Sequence, residues 1–97
     1  TGDLISAAEA QSIGFLNYVV PADQVLAKAM EIAEKIAANG PLAVKAIRKS
    51  VRACLGKPEL EALRIESELS GPVFQTEDAR EGPRAFMEKR KPQYQGR

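Results

Sequence analysis

Apolar side chains recur at helical spacing through the middle of the sequence. Over residues 24–38 they follow one another at intervals of three and four, and most charged side chains fall on the opposite face. The same spacing returns over residues 42–55 and 59–70. The breaks between these segments are Asn39-Gly40-Pro41 and Gly56-Lys57-Pro58, and Gly typically follows a helix end while Pro is tolerated at a helix start. The pattern predicts three consecutive helices.

The N-terminal part of the chain shows two different patterns. Ser6 and Glu9 have capping-box spacing, which predicts a short helix over residues 7–13. Residues 15–20 are aromatic and β-branched and stop at Pro21, which predicts a strand. A single strand leaves its backbone N–H and C=O groups unpaired. We therefore expect its partner to come from another molecule or from sequence before Thr1, which would make this chain a fragment.

The C-terminal part opens acidic and closes basic. Negative charge favours a helix N-terminus and positive charge favours a C-terminus. Thr76 and Asp78 are rival caps, and Pro83 is acceptable at the first position of a helix but costly inside one. We therefore predict an acidic turn over residues 77–81 and then a helix over residues 83–90, stopped by Pro92.

Phe86 and Lys89 are three residues apart, so a continuous helix would place them on one face. A flat apolar ring beside a flexible ammonium suits a ligand that has a planar base and a phosphate. The alternative is that Phe86 anchors a core and that the basic residues around Lys89 are a solvated helix end. The residues alone favour this second interpretation.

The helix predicted over residues 59–70 has two apolar sides. Leu60 and Leu63 lie on one side, Ile65 and Leu69 lie on the opposite side, and rows of Glu separate them. A helix with two apolar sides packs between two partners. In a chain of 97 residues, we expect the second partner to be another subunit or another domain.

The helix before it carries a basic stripe, which consists of Lys45, Arg48, Lys49 and Arg52. One interpretation is a solvated face that forms ion pairs with the acidic residues of the next helix. The other is a phosphate-binding face. Because runs of charge usually lie at the surface, the first interpretation is favoured.

Composition narrows the function classes. The net charge is +1, so no strong field attracts nucleic acid or a membrane surface. No His is present, and the single Cys cannot form an internal disulfide. We found no nucleophile–base set, no metal-ligand cluster and no phosphate-binding glycine loop. Glu66 is the most interior carboxylate, and a surface ion pair is its favoured role. We therefore predict no catalytic residue and no metal site.

Three ordered segments together resemble one family. They are residues 1–21, which run from Thr-Gly-Asp-Leu to Tyr-Val-Val-Pro, residues 39–45, which read Asn-Gly-Pro-Leu-Ala-Val-Lys, and residues 76–92, which end in Ala-Phe-Met-Glu-Lys-Arg-Lys-Pro. The set resembles the C-terminal third of the enoyl-CoA hydratase/isomerase (crotonase) superfamily. Pro72 and Pro83 depart from that pattern and put the course of the last helices in question.

This resemblance implies a fold and a set of partners. The chain would be mostly α, the C-terminal helical (trimerisation) region of a crotonase-type spiral fold with one short strand. Residues 1–21 would be the end of the spiral core, and residues 22–97 the oligomerisation region. The implied partners are the missing N-terminal core, further subunits in a trimer or hexamer, and acyl-CoA. Phe86 and Lys89 match positions that reach the coenzyme A of a neighbouring subunit, near its adenine and 3′-phosphate.

Three hypotheses follow. In the first, the parent protein is a fatty acyl-CoA hydratase or isomerase in which an oxyanion hole outside this chain stabilises a thioester enolate. Coenzyme A is then part of the substrate, no cofactor is held covalently, and the chain alone is inactive. In the second, the chain is a stand-alone helical self-association module. In the third and least favoured, the basic stripe binds nucleic acid. We expect a bacterial cytoplasmic or a mitochondrial matrix location.

Overall fold

The computed structural model describes residues 2–97, and these residues are mostly helical. The helices are α1 (Ala7–Ser12), α2 (Val25–Ala37), α3 (Pro41–Cys54), α4 (Glu59–Ser70) and α5 (Glu77–Met87). Short 3-10 turns, Ala22–Gln24 and Val73–Gln75, precede α2 and α5. The predicted helical fold class is thereby confirmed. No helix within residues 2–97 has the length and apolar character needed to cross a bilayer.

Local side-chain chemistry explains most helix boundaries. The Ser6 hydroxyl accepts the Glu9 N–H at 3.1 Å and caps α1, as its capping-box spacing predicts. Pro41 occupies the first turn of α3, where its missing N–H leaves no intrahelical bond unmade. The Asn39 side-chain amide donates to the Lys35 carbonyl at 2.7 Å and so satisfies one of the last carbonyls of α2.

The strand predicted over residues 15–20 is absent from this chain. These residues have no regular secondary structure, and no part of residues 2–97 forms a strand. A strand is defined by its ladder to a second strand, so a segment with β-forming side chains and no partner cannot be one. Aromatic and β-branched composition reports the preference of the segment and carries no information on whether a partner exists.

The last helix begins six residues earlier than predicted. It starts at Glu77, after the Thr76 hydroxyl, which accepts the Ala79 N–H at 3.2 Å, so Thr76 is the cap. Pro83 lies inside the helix instead of at its start. The ring of a proline clashes with the Cβ of the preceding residue in a helix, but that residue is Gly82, which has no Cβ. Gly82 therefore removes this clash, while Pro83 still lacks the N–H that would bond to the carbonyl four residues earlier.

Two compact units divide the chain, and the boundary falls within α2, between Ala33 and Glu34. The predicted division after residue 21 stays a prediction. In the second unit, α3 packs along α4, and the Cys54 thiol donates to the Ala62 carbonyl at 3.4 Å between them. Within the described residues, Ala10 and Ala85 are the only buried apolar side chains.

The two apolar sides predicted for α4 differ in burial. Ile65 and Leu69 are half-buried, whereas Leu60 and Leu63 are 79% and 49% exposed. One side of α4 therefore has cover within this chain and the other does not.

Candidate functional site

Helix α5 ends in a Schellman motif that carries both predicted ligand-binding residues. The Arg90 N–H donates to the Ala85 carbonyl at 3.0 Å, and the Lys89 N–H donates to the Phe86 carbonyl at 3.1 Å. These two bonds satisfy carbonyls that a helix end otherwise leaves without partners. We call residues 86–90 the α5 end.

Lys89 adopts the left-handed backbone conformation, with a φ of 54°, and within residues 2–97 it is the only residue other than glycine with a positive φ. This position of a Schellman motif is usually glycine, because a Cβ in the left-handed region costs about 1–2 kcal/mol. A non-glycine residue held at such a cost points to a role for its side chain.

Both residues of the predicted ligand contact belong to the α5 end, although the helix stops before Lys89. Their shared face was predicted from a helix that continued to residue 90, and that argument no longer applies. The Lys89-to-Phe86 backbone bond instead keeps the two residues in one turn. The Phe86 side chain is 82% exposed, so the interpretation of Phe86 as a core anchor is wrong for the described chain.

The two cations of the α5 end differ in their partners. The Arg90 guanidinium donates both terminal nitrogens to the Glu81 carboxylate, one of them at 2.9 Å, and its Nε donates to Glu88 at 2.6 Å. These hydrogen bonds raise the pKa of Arg90 above its ordinary value. No side-chain partner of Lys89 is present in the described part of the chain, so its ammonium is available to a ligand.

Residues 91–97, which we call the C-terminal strap, fold back along α5 and are held by its acidic residues. The buried Asp78 carboxylate accepts the N–H groups of Gln95 and Gly96 at 2.7 and 2.8 Å. The Glu81 carboxylate accepts the Gln93 N–H at 2.8 Å. A carboxylate that accepts backbone N–H groups forms charge-assisted bonds, which are stronger than neutral ones.

The strap also packs against the start of α3. A Cβ added to Gly82 would lie 3.2 Å from the Tyr94 hydroxyl, and one added to Gly40 would lie 3.7 Å from the Tyr94 ring. A Cβ at Gly96 would lie 3.3 Å from the Pro41 ring. Tyr94 thus fills a space that two glycines leave open, which fixes the strap between α3 and α5.

An apolar groove of about 440 Å³ runs between α3, α4 and α5. Its walls include Ala46 and Ile47 of α3, Leu69 of α4, and Phe74 in the turn before α5. Ile47 and Phe74 are 62% and 78% exposed. Glu66 also lines the groove as an exposed residue, and the ion pair predicted for it is not present among the described residues.

The basic stripe of α3 lies on the surface. Its four residues line a shallow depression of about 490 Å³ and are all exposed. The expectation that it forms ion pairs with acidic residues of α4 is wrong, since the structure shows no ion pair between the two helices within residues 2–97. Glu61 of α4 instead pairs with Lys57 at 2.7 Å, and this hydrogen bond raises the pKa of Lys57.

Sequence reasoning missed the part that Asp78 and Glu81 play in holding the strap. Their spacing in the chain indicates a helix start, and the bonds that they make reach residues 9 to 18 positions later. The strap has no regular secondary structure and therefore no periodicity that a sequence would reveal. The sequence signal that existed was the pair of acids three residues apart, about two turns before a basic cluster.

Comparison with known proteins supplies the class. The sequence profile of the enoyl-CoA hydratase/isomerase family matches residues 1–97, which is the whole chain. The chain belongs to this family, as its resemblance implied.

Individual relatives and solved structures that the chain matches agree with this family. Enoyl-CoA hydratase EchA19 of Mycobacterium tuberculosis is 52% identical over 97 residues, which are 100% of this chain and 36% of that protein. The short-chain-enoyl-CoA hydratase of Clostridium acetobutylicum is 41% identical over 91 residues, 94% of this chain and 35% of that protein. The crystal structure of an enoyl-CoA hydratase from Bacillus anthracis superposes with a TM-score of 0.93 at 41% identity, covering 96% of this chain and 36% of that one.

The chain therefore spans about a third of the length of these relatives. It corresponds to the C-terminal helical part of the neighbouring structures, which is the part that the resemblance named.

Proposed function

We propose that this chain forms the C-terminal part of a hydratase or isomerase that acts on fatty acyl-CoA thioesters. In that protein it supplies contacts to the N-terminal core and to neighbouring subunits in a trimer or hexamer, and it forms one edge of the coenzyme A site. The relatives named enoyl-CoA hydratase, each about three times as long, support this assignment. Residues outside this chain carry the catalytic step, so the chain alone has no activity.

The observation that carries the proposed coenzyme A edge is the conformation of Lys89. Lys89 has a left-handed backbone conformation and no side-chain partner among the described residues, and it lies one turn from the exposed Phe86. The two residues together offer a cation and an aromatic face. Coenzyme A presents the matching groups, a planar adenine and a 3′-phosphate. A lysine suffices for a phosphate as a point charge, and an aromatic ring stacks on a base. The adenine would lie against Phe86 and the phosphate near Lys89.

The apolar groove supports the proposed subunit contacts. Large apolar side chains are exposed along its walls, while two alanines are the only apolar side chains that the described residues bury. A contiguous apolar surface of this kind marks an interaction site. The share of the relatives that lies outside this chain is large enough to cover it.

Coenzyme A titration of the full-length protein tests the site. Lys89→Ala and Phe86→Ala should each raise the Kd for coenzyme A by about 5- to 30-fold, the effect of losing one charged hydrogen bond or one stacked ring. The Lys89→Ala loss should shrink with 3′-dephospho-coenzyme A, which lacks the phosphate, and the Phe86→Ala loss should persist.

The matched control is Lys49→Ala, which removes a lysine from the exposed basic stripe of α3. It should leave the Kd for coenzyme A unchanged. Wild-type affinity in both Lys89→Ala and Phe86→Ala would contradict the proposed site.

A helical self-association module without a ligand role is a second candidate. The exposed apolar side chains favour it, because they would also mediate contacts between copies of this chain alone. It predicts a defined oligomer that does not bind coenzyme A, and the same titration separates the two candidates.

The sources of the relatives support a proposal for the location. Some come from bacteria and others are named as mitochondrial enzymes. We propose the bacterial cytoplasm, with the mitochondrial matrix as the alternative.

A further inference from the structure

Lys89 keeps its conformation because its neighbours on both sides are fixed. Arg90 follows it directly, and the guanidinium of Arg90 is bonded to Glu88 on one side of Lys89 and to the Lys91 carbonyl on the other, at 2.6 and 3.2 Å. The same guanidinium forms a bidentate ion pair with the Glu81 carboxylate, nine positions earlier on α5. The backbone around Lys89 is thereby tied to the body of the helix.

Glu81 connects this arrangement to α5 through its side chain. Its carboxylate accepts from Arg90 and from the Gln93 N–H, so it holds the residues that come directly after Lys89 in two places. Its side chain is 16% exposed, against 52% for Glu88. A partly buried, bidentate ion pair keeps its geometry better than an exposed ion pair with a single hydrogen bond.

We propose that Glu81 is a positioning residue for the coenzyme A site. Acting through Arg90, it sets the left-handed turn at Lys89 and so directs the Lys89 ammonium, although it touches no ligand itself. This inference rests on the proposed function, in which Lys89 meets the 3′-phosphate. It adds a requirement that the function alone does not make, namely that a carboxylate two turns from the ligand governs affinity.

The charge state of Glu81 is consistent with this role. Hydrogen bonds from Arg90 and from the Gln93 N–H lower the pKa of Glu81 to about 2. The carboxylate is therefore ionised at every pH at which the protein would work, and the ion pair is permanently available.

The test is a double-mutant cycle in the full-length protein. Glu81→Gln keeps the size of the side chain and removes the charge. It should raise the Kd for coenzyme A by about three- to tenfold, less than the loss of Lys89 itself, with the change in KM larger than any change in kcat. Combined with Lys89→Ala, it should add nothing, because the group that it positions is gone. With 3′-dephospho-coenzyme A, its effect should disappear.

Two further variants keep the outcome interpretable. Arg90→Gln removes the same ion pair from the other end and should raise the Kd for coenzyme A by the same factor, about three- to tenfold. It therefore tests the inference even where Glu81→Gln does not fold. Glu68→Gln neutralises an exposed carboxylate on α4 and should leave the Kd at the wild-type value.

The possible results separate the inference from the function that it rests on. Weakened binding in Lys89→Ala with normal binding in Glu81→Gln and Arg90→Gln would overturn the positioning role and leave the coenzyme A site standing. Equal losses from Glu81→Gln with and without Lys89, or with both forms of the ligand, would show a general structural effect and also overturn it. Normal binding in Lys89→Ala would overturn the inference together with the proposed contact between Lys89 and the 3′-phosphate, and normal binding in Phe86→Ala as well would overturn the site.

Discussion

The apolar groove and the C-terminal strap lie in the same compact unit but differ in how far residues of this chain cover them. The acidic residues of α5 bond to residues of the strap that come 12 to 20 positions later, and Tyr94 fills the space beside Gly82. In the groove, Ile47 and Phe74 remain more than half exposed. The strap therefore finds its hydrogen-bond partners within the chain, whereas the described residues leave the walls of the groove uncovered.

The difference separates two kinds of contribution to the fold. Charge-assisted bonds in the strap are directional and specify one course for the last residues. Burial of apolar area is non-directional and supplies most of the stability of a folded protein. The strap therefore has its course fixed by residues of this chain, whereas the apolar side chains of the groove gain little burial from the described residues.

The largest predicted effect comes from placing a charge in the groove. Ile47→Glu should lower the free energy of unfolding of the full-length protein by about 3 kcal/mol or more, because a carboxylate would be buried without a partner once the groove is covered. Denaturant unfolding gives the energy, and light scattering after size exclusion gives the oligomeric state, which should also fall.

The matched control places the same residue on the other face of α3. Lys45→Glu lies in the exposed basic stripe and should change the free energy of unfolding by less than about 0.5 kcal/mol. If the two variants are equally stable, the groove faces water in the working protein and the contrast with the strap is lost.

Local chemistry was the part of this fold that the sequence predicted well. The helix boundary at Asn39-Gly40-Pro41 is predicted from residue types that affect the local backbone directly, and in the structure α3 begins at Pro41. The helix start predicted at Pro83 was wrong, because it was argued from the proline alone. Gly82 removes the Cβ clash that a proline usually makes with the preceding residue, and α5 runs through Pro83. The strand at residues 15–20 failed because pairing depends on a partner that composition does not report.

The candidate site was predictable only in part. Phe86 and Lys89 were found from their spacing and from the family resemblance, but their geometry depends on the Schellman motif that ends α5 after Met87. The bonds from Glu81 to Arg90 and Gln93 connect a helix to an irregular segment. No periodic pattern encodes such contacts, so sequence reasoning could not have placed them.

An intermediate effect is expected from two substitutions at Lys89 that separate backbone strain from side-chain function. Lys89→Gly and Lys89→Ala both remove the ammonium, so both should weaken coenzyme A binding equally. Glycine adopts the left-handed conformation without a Cβ clash, and alanine does not. Lys89→Gly should therefore be about 0.5–1 kcal/mol more stable than Lys89→Ala in thermal or denaturant unfolding. Equal stability would mean that the turn relaxes when the side chain is lost.

The smallest effect concerns acid stability of the strap. The pKa of Glu81 is lowered to about 2 by hydrogen bonds from Arg90 and Gln93, with Arg84 as a further nearby cation. A carboxyl group with a lowered folded-state pKa stabilises the fold above its ordinary pKa, and this contribution is lost as the pH falls through the lowered value. The stabilisation by Glu81 should thus be complete above about pH 4.5 and fade towards pH 2.

The measurement compares the Tm of the wild type with that of Glu81→Gln between pH 2 and pH 6. The wild type should have the higher Tm by a constant few degrees above about pH 4.5, and the two values should converge as the pH approaches 2. The difference stays modest because the Arg90 pair lies near the surface, where water screens it. A gap that persists undiminished at pH 2 would show that Glu81 acts through packing, since only the charged carboxylate forms the charge-assisted hydrogen bonds to Arg90.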